Sequence, residues 1–151
     1  HAMQDSHSLL GGETSGHLFC GEGYYHFDDA CVAALRILMI LKNGGKPLSA
    51  HFADFPKTYQ MPPLRPYTPD DVKGKIVTDS IEHFSKKYPT ETMDGARIDF
   101  GDNAWAGIRQ SNTSPCIDLC VEARTPEKME EVKAEVMEFL KAYPQIEWDK
   151  H

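Results

Sequence analysis

A chain of 151 residues that is 40% hydrophobic and 26% charged can form one ordinary domain or two small ones, and its composition excludes the disordered class. A net charge of −7, with no cluster of Lys and Arg to displace counterions, argues against a nucleic-acid binder. It also means that any phosphorylated ligand must be held by local geometry against an unfavourable overall field.

The first three residues, His1-Ala2-Met3, read as a cloning scar, and the first unit is expected over 4–59. It opens on a Gly-rich loop, 11–16, followed by a short strand over 17–20 and a second Gly-rich turn. Asp28 is the expected N-cap of a helix over 29–42, which Asn43-Gly44-Gly45 stops. Asp28-Asp29 can suggest a metal site, but N-capping explains both acids at less cost. Between 30 and 41 the only residue that is not apolar is Arg36, and the run is too short to span a membrane. Such a helix needs cover on most faces, more than a small unit supplies. A homodimer through helix 29–42, burying Leu35, Leu38 and Leu41, is the expected relief. A second short helix near Pro47 aligns Leu48, Phe52 and Phe55, and the unit reads as part of an α/β domain.

Five of the 10 prolines fall between Pro56 and Pro69, which marks an extended connector and a division near residue 60. In the second unit, 60–151, Thr68 is the expected N-cap and Pro69 the first residue of a helix that carries Val72, Ile76, Ile81, Phe84 and Tyr88 and ends at Pro89. Strands follow over 96–100, 104–109 and 116–123, the first two joined by Gly101-Asp102-Asn103. Ile117, Leu119, Val121 and Ala123 alternate onto one face of the third, so the sheet is half-buried and antiparallel. Thr125-Pro126-Glu127 starts a closing helix with Met129, Val132, Val136, Phe139, Leu140 and Tyr143 on one side. With 64–67 as a fourth strand, the order is β-α-β-β-β-α, an α+β fold with two helices on one face of a four-stranded sheet.

Two polar loops can carry chemistry. Arg109-Gln110-Ser111-Asn112-Thr113-Ser114-Pro115 offers a guanidinium, hydroxyls and amides, the donors that a phosphate accepts from, although the same composition is ordinary turn chemistry. Gly11-Gly12-Glu13-Thr14-Ser15-Gly16-His17 sets a carboxylate and hydroxyls between glycines, suited to sugar hydroxyls or simply solvated. His17 is an acid/base candidate, with a structural donor as the plainer reading. Lys57, Tyr59 and Arg65 read better as a solvated hinge than as an anion site. Cys20, Cys31, Cys116 and Cys120 show no C-x-x-C spacing and read as reduced cytosolic thiols, with a metal site at Cys116 and Cys120 the lesser reading.

Taken in order, G-E-T-S-G-H, Y-Y-H-F-D-D-A, the proline-rich connector, D-G-A-R-I-D-F and R-Q-S-N-T-S-P resemble the α-D-phosphohexomutase superfamily over 10–143. Within it the chain resembles the C-terminal part of the bacterial phosphomannomutase/phosphoglucomutase group, the end of the third domain plus the fourth. The resemblance implies that Glu13, Ser15 and His17 contact sugar hydroxyls. It implies that Arg109, Ser111, Asn112 and Thr113 grip the phosphate that is not transferred, and that 60–151 has a TATA-binding-protein-like fold. Thr14 stands where the mannose/glucose branch has Met, and Gln110 where it has Ala. Asn112 and Ser114 favour that branch over phosphoglucosamine mutases, which remain an alternative.

The same resemblance implies a cytoplasmic parent isomerase that interconverts hexose 6-phosphate and 1-phosphate through a bisphosphorylated sugar, with Mg²⁺ and a hexose 1,6-bisphosphate activator. The family's phosphoserine and Mg²⁺ loops belong to other domains, so this chain alone is expected to bind hexose phosphate or inorganic phosphate without turnover and to hold no metal. A stand-alone phospho-sugar-binding module is the other reading.

Overall fold

Five prolines in one short stretch deny the backbone the donors that either a helix or a continuous ladder needs, and the chain parts there into two units, one ending at Phe55 and the next beginning at Pro56. The computed structural model describes residues 2–13 and 16–148.

The first unit opens with the single turn α1 (Ala2–Asp5), whose Met3 carbonyl accepts from Ser8 N at 2.9 Å. Met3, set aside above as a cloning scar, therefore takes part in the fold. Strands β1 (Leu10–Gly12) and β2 (Leu18–Cys20) pair antiparallel, Leu10 opposite Cys20 and Gly12 opposite Leu18. Helix α2 (Ala30–Gly44) is capped by Asp29, one residue later than the sequence suggests: its Oδ1 accepts from the amides of Cys31 at 2.9 Å and Val32 at 3.0 Å. Asp28 is unavailable as a cap because it forms an antiparallel bridge with Phe19. Gly45 ends α2 in the left-handed region, and the short α3 (Leu48–His51) follows. No residue of α2 is buried.

In the second unit an antiparallel sheet is ordered β3-β7-β6-β5-β4, from β3 (Tyr59–Gln60), β4 (Thr90–Glu91), β5 (Ala96–Gly101), β6 (Ala104–Gln110) and β7 (Ile117–Ala123). Period-two burial carries Ile98, Ile108, Ile117, Leu119 and Val121 onto the face covered by α4 (Asp70–Phe84) and α5 (Pro126–Leu140). Ile76 and Phe84 from α4 and Val132, Val136 and Leu140 from α5 complete the core. Each such side chain contributes roughly 1.5–3 kcal/mol when fully buried. The β5–β6 turn uses the left-handed conformations of Gly101, Asp102 and Asn103, as its sequence suggests.

The sheet departs from the four strands expected. Pro62, Pro63 and Pro66 break the segment over 64–67 into isolated bridges, Leu64 to Leu119 and Tyr67 to Cys116, while β3 and β4 add edges. The N-cap of α4 is Pro69, not Thr68, because Thr68 is drawn onto the sheet: its N–H donates to Pro115 O at 2.8 Å and its hydroxyl to Pro66 O. Helix α4 also ends at Phe84, before Pro89, and Tyr88 reaches the core from the turn beyond it.

Candidate functional site

Each polar loop closes a hairpin in its own unit. Between β1 and β2, Glu13 N–H donates to His17 O and Gly16 N–H to Glu13 O, both at 3.0 Å, with Gly16 in the left-handed region at φ 89°. This holds Glu13 and His17 at the two ends of one tight turn. Ser15, with its neighbour Thr14, lies outside the described residues. The Phe19–Asp28 bridge brings Asp28 beside the hairpin, and His17 Nδ1 pairs with the Asp28 carboxylate. That hydrogen bond, with the nearby carboxylate charge, holds the His17 pKa above the usual 6.5. The neighbouring cap is tied down likewise: the Tyr24 hydroxyl donates to Asp29, which lowers the Asp29 pKa and pushes the Tyr24 phenol up to about 12.

The second loop leaves β6 at Gln110 and enters β7 at Ile117. Ser111 N–H donates to Cys116 O at 3.0 Å and Cys116 N–H to Ser114 O at 2.9 Å, which closes the turn. Ser111 is buried, only 5% exposed, whereas Arg109, Asn112 and Thr113 are exposed. Thr113 N–H donates to Ser111 Oγ at 3.3 Å. On α4, Lys73 Nζ donates to the carbonyls of Ser111 at 2.7 Å and Ser114 at 3.3 Å. Two loop acceptors are thereby occupied from within, and the residues left at the surface are rich in donors.

Around this loop the charges pair. Arg109 lies directly opposite Asp118 across the β6–β7 ladder, with Nε 3.2 Å from Asp118 Oδ2 and Nη1 3.0 Å from Asp94 Oδ2. Asp94, then Asp118, holds the Arg109 guanidinium firmly charged. Arg65, beside the Leu64–Leu119 bridge, donates from Nε to Asp118 Oδ1 at 2.6 Å and from Nη2 to Ser111 Oγ at 3.3 Å. It is exposed, yet tied to the strand and loop rather than free at a hinge. Lys57 does remain local, its ammonium 4.9 Å over the Tyr59 ring.

The structure thus gathers Arg109, Ser111 and Thr113 at one loop with Asn112 on its surface. It adds Lys73, Asp94 and Asp118, which the sequence did not single out, and Arg65, which the sequence offered as an anion contact but read as a hinge residue. For Asp118 the available signal is that it is an outward acid in a strand that alternates. The four cysteines are free, and burial pushes the Cys120 thiol pKa up. Among the described residues, no three His, Cys, Asp or Glu side chains converge as a metal-ligand set.

Comparison with known proteins covers both units. A family model described as "Phosphoglucomutase/phosphomannomutase, alpha/beta/alpha domain III" matches residues 1–59, and one described as "Phosphoglucomutase/phosphomannomutase, C-terminal domain" matches 60–139. The chain is 34% identical to a phosphomannomutase/phosphoglucomutase of Pseudomonas putida over 87% of its own length and 28% of that protein's. It is 32% identical to the Pseudomonas aeruginosa protein of the same name, over 93% of this chain and 30% of that one. A crystal structure of a phosphoglucomutase/phosphomannomutase family protein from Burkholderia thailandensis superimposes with a TM-score of 0.77 at 28% identity, covering 96% of this chain and 31% of that one. The chain therefore spans less than a third of the length of these relatives.

Proposed function

The chain belongs to the phosphoglucomutase/phosphomannomutase family, and from that premise we propose that it binds a hexose phosphate as the substrate-gripping part of a phosphohexomutase. In this reading Glu13, Ser15 and His17 hold sugar hydroxyls. Arg109, Ser111, Asn112 and Thr113 hold the phosphate that is not being transferred. The parent reaction exchanges hexose 6-phosphate and hexose 1-phosphate, with mannose and glucose as the sugars, through a bisphosphorylated intermediate. Mg²⁺ and a hexose 1,6-bisphosphate belong to that parent reaction. Among the described residues, no three His, Cys, Asp or Glu side chains converge as a ligand set for that metal.

The observation that supports this best is the Lys73 brace. A phosphate-binding loop must present donors, and by occupying the carbonyls of Ser111 and Ser114 Lys73 takes away acceptors that would repel an anion. Titration of the ¹⁵N-labelled chain with inorganic phosphate and with a hexose phosphate tests it. Amide signals of Ser111, Asn112 and Thr113 should move and saturate. Arg109→Ala should remove about 2 kcal/mol or more of the affinity, as expected for charge-assisted hydrogen bonds. Signals that stay still at high millimolar phosphate overturn the reading.

A further inference from the structure

Arg65 stands far from the loop in sequence, yet its side chain bonds to the loop's one buried hydroxyl, Ser111 Oγ, at 3.3 Å. An arginine carries five N–H donors in a planar fork. Here Nε is held by Asp118 at 2.6 Å, Nη2 reaches Ser111, and the Cys116 thiol lies alongside. The side chain is 52% exposed, so a ligand at the loop can reach it. Asp118 takes the Nε of Arg109 on its other oxygen, and Arg109 Nη1 meets the exposed Asp94 at 3.0 Å.

The hydroxyl of Ser111 points to the same ligand. A serine oxygen has two lone pairs and one proton. Arg65 Nη2 and Thr113 N–H, each at 3.3 Å, occupy the lone pairs, so the proton must be donated elsewhere. Within the described residues the remaining hydroxyl near it is Thr113 Oγ1 at 3.5 Å, a long and weak contact in which either oxygen can be the donor. A buried hydroxyl driven to donate, beside an exposed guanidinium, suits a phosphomonoester oxygen.

We propose that Arg65 is a second phosphate-binding guanidinium of this site, acting with Arg109 across their shared Asp118, and that it also positions Ser111 as a donor to the same phosphate. The proposal rests on reading residues 109–113 as a phosphate loop, and its test separates the two.

The full chain is titrated with inorganic phosphate while the arginine side-chain Nε–H signals and the loop amides are followed. The Arg65 Nε–H signal should move in step with those of Ser111 and Thr113. Arg65→Gln should weaken binding about tenfold, the size expected for losing a charged hydrogen bond, and Arg65→Lys should recover part of it. A purely structural arginine would show no ligand-dependent Nε–H shift. The inference is overturned if Arg65→Gln binds as tightly as the unaltered chain while Arg109→Ala does not, or if the Arg65 signal stays fixed through saturation. If Arg65→Gln does not fold, the side-chain signal of the unaltered chain decides alone. If the unaltered chain binds no phosphate, the loop reading itself fails and this inference falls with it.

Discussion

The ammonium of Lys73 lies 2.7 Å from the carbonyl oxygen of Ser111, so helix α4 fixes the conformation of a loop that follows 38 positions later in the chain. The Lys73 side chain is only 13% exposed and also pairs with Asp70 at 2.7 Å, which anchors it at the helix start. Lys73→Met keeps the stem and removes the charge. It should cost about 1.5–3 kcal/mol, the range for hydrogen bonds to charged groups. Hydrogen exchange at the Ser111 and Cys116 amides should quicken, because both close the turn. Unchanged exchange at those amides, with unchanged urea unfolding, would mean that the loop holds its shape without the brace.

Gly95 sets the position of Arg109. At φ +90° a Cβ there would lie 2.4 Å from Ile108 O and 2.8 Å from Arg109 Cβ. Gly95→Ala should therefore combine backbone strain of roughly 1–3 kcal/mol with overpacking of similar size, and should displace the arginine. Gly101→Ala is the control: its φ is +78°, but a Cβ there meets nothing within 4 Å. Thermal unfolding should show the larger loss at Gly95, and phosphate titration should show weakened binding there alone. Equal effects of the two substitutions would show that strain, not contact with Arg109, is what matters.

The local rules of the sequence reach as far as the contacts they describe. Alternation from Ile117 to Ala123 and the Gly101-Asp102-Asn103 turn are local, and both stand in the structure as read. Both misplaced helix caps fail for one reason: Asp28 and Thr68 are good capping residues that tertiary pairing pulls away, to Phe19 and to Pro115. The polar loop 109–113 was legible because it is contiguous. Arg65 was raised only as a weak anion candidate beside a hinge reading, since its partners Ser111 and Asp118 stand 46 and 53 positions away and nothing in Leu64-Arg65-Pro66 points to them.

Asp94 competes for Arg109. Its carboxylate is 73% exposed and lies 3.0 Å from Arg109 Nη1, at an end of the guanidinium that a phosphate would use. Asp94→Asn removes that competitor and leaves Asp118 to orient the side chain. Phosphate affinity should rise about two- to fivefold, the scale of an exposed ion pair. Measured by titration, a fall in affinity would instead make Asp94 a support for the bound geometry.

His17 and Asp28 give the first unit a defined pH response. Because pairing raises the folded His17 pKa above 6.5, its stabilising effect is fully present below 6.5 and fades as pH rises through the raised value. Imidazole NMR signals should titrate above the usual histidine midpoint. Asp28→Asn should return them to it and remove the pH dependence of the hairpin amides. A midpoint unmoved by that substitution would leave Asp28 without the role its geometry assigns.

Helix α2 should bring two copies of the chain together. Leu35, Leu38 and Met39 are each 60% exposed, Ile40 is 54% and Ile37 42%, on a helix with no buried residue. Leu35, Leu38 and Met39, at i, i+3 and i+4, share one face and present on the order of 300 Å² of contiguous apolar surface. Joined on that face, two copies would bury on the order of 600 Å² from these side chains alone, the scale of a weak, concentration-dependent association. Arg36 need not oppose this, because its guanidinium is drawn aside to the backbone carbonyl of Glu22. Light scattering should therefore give a mass that rises with concentration from 17.0 kDa toward twice that value. Leu38→Glu should hold the chain at the monomer mass, since a carboxylate cannot be buried in that face without a partner. A fixed monomer mass at high concentration, with the α2 amides protected from exchange, would show that the helix is covered within its own chain.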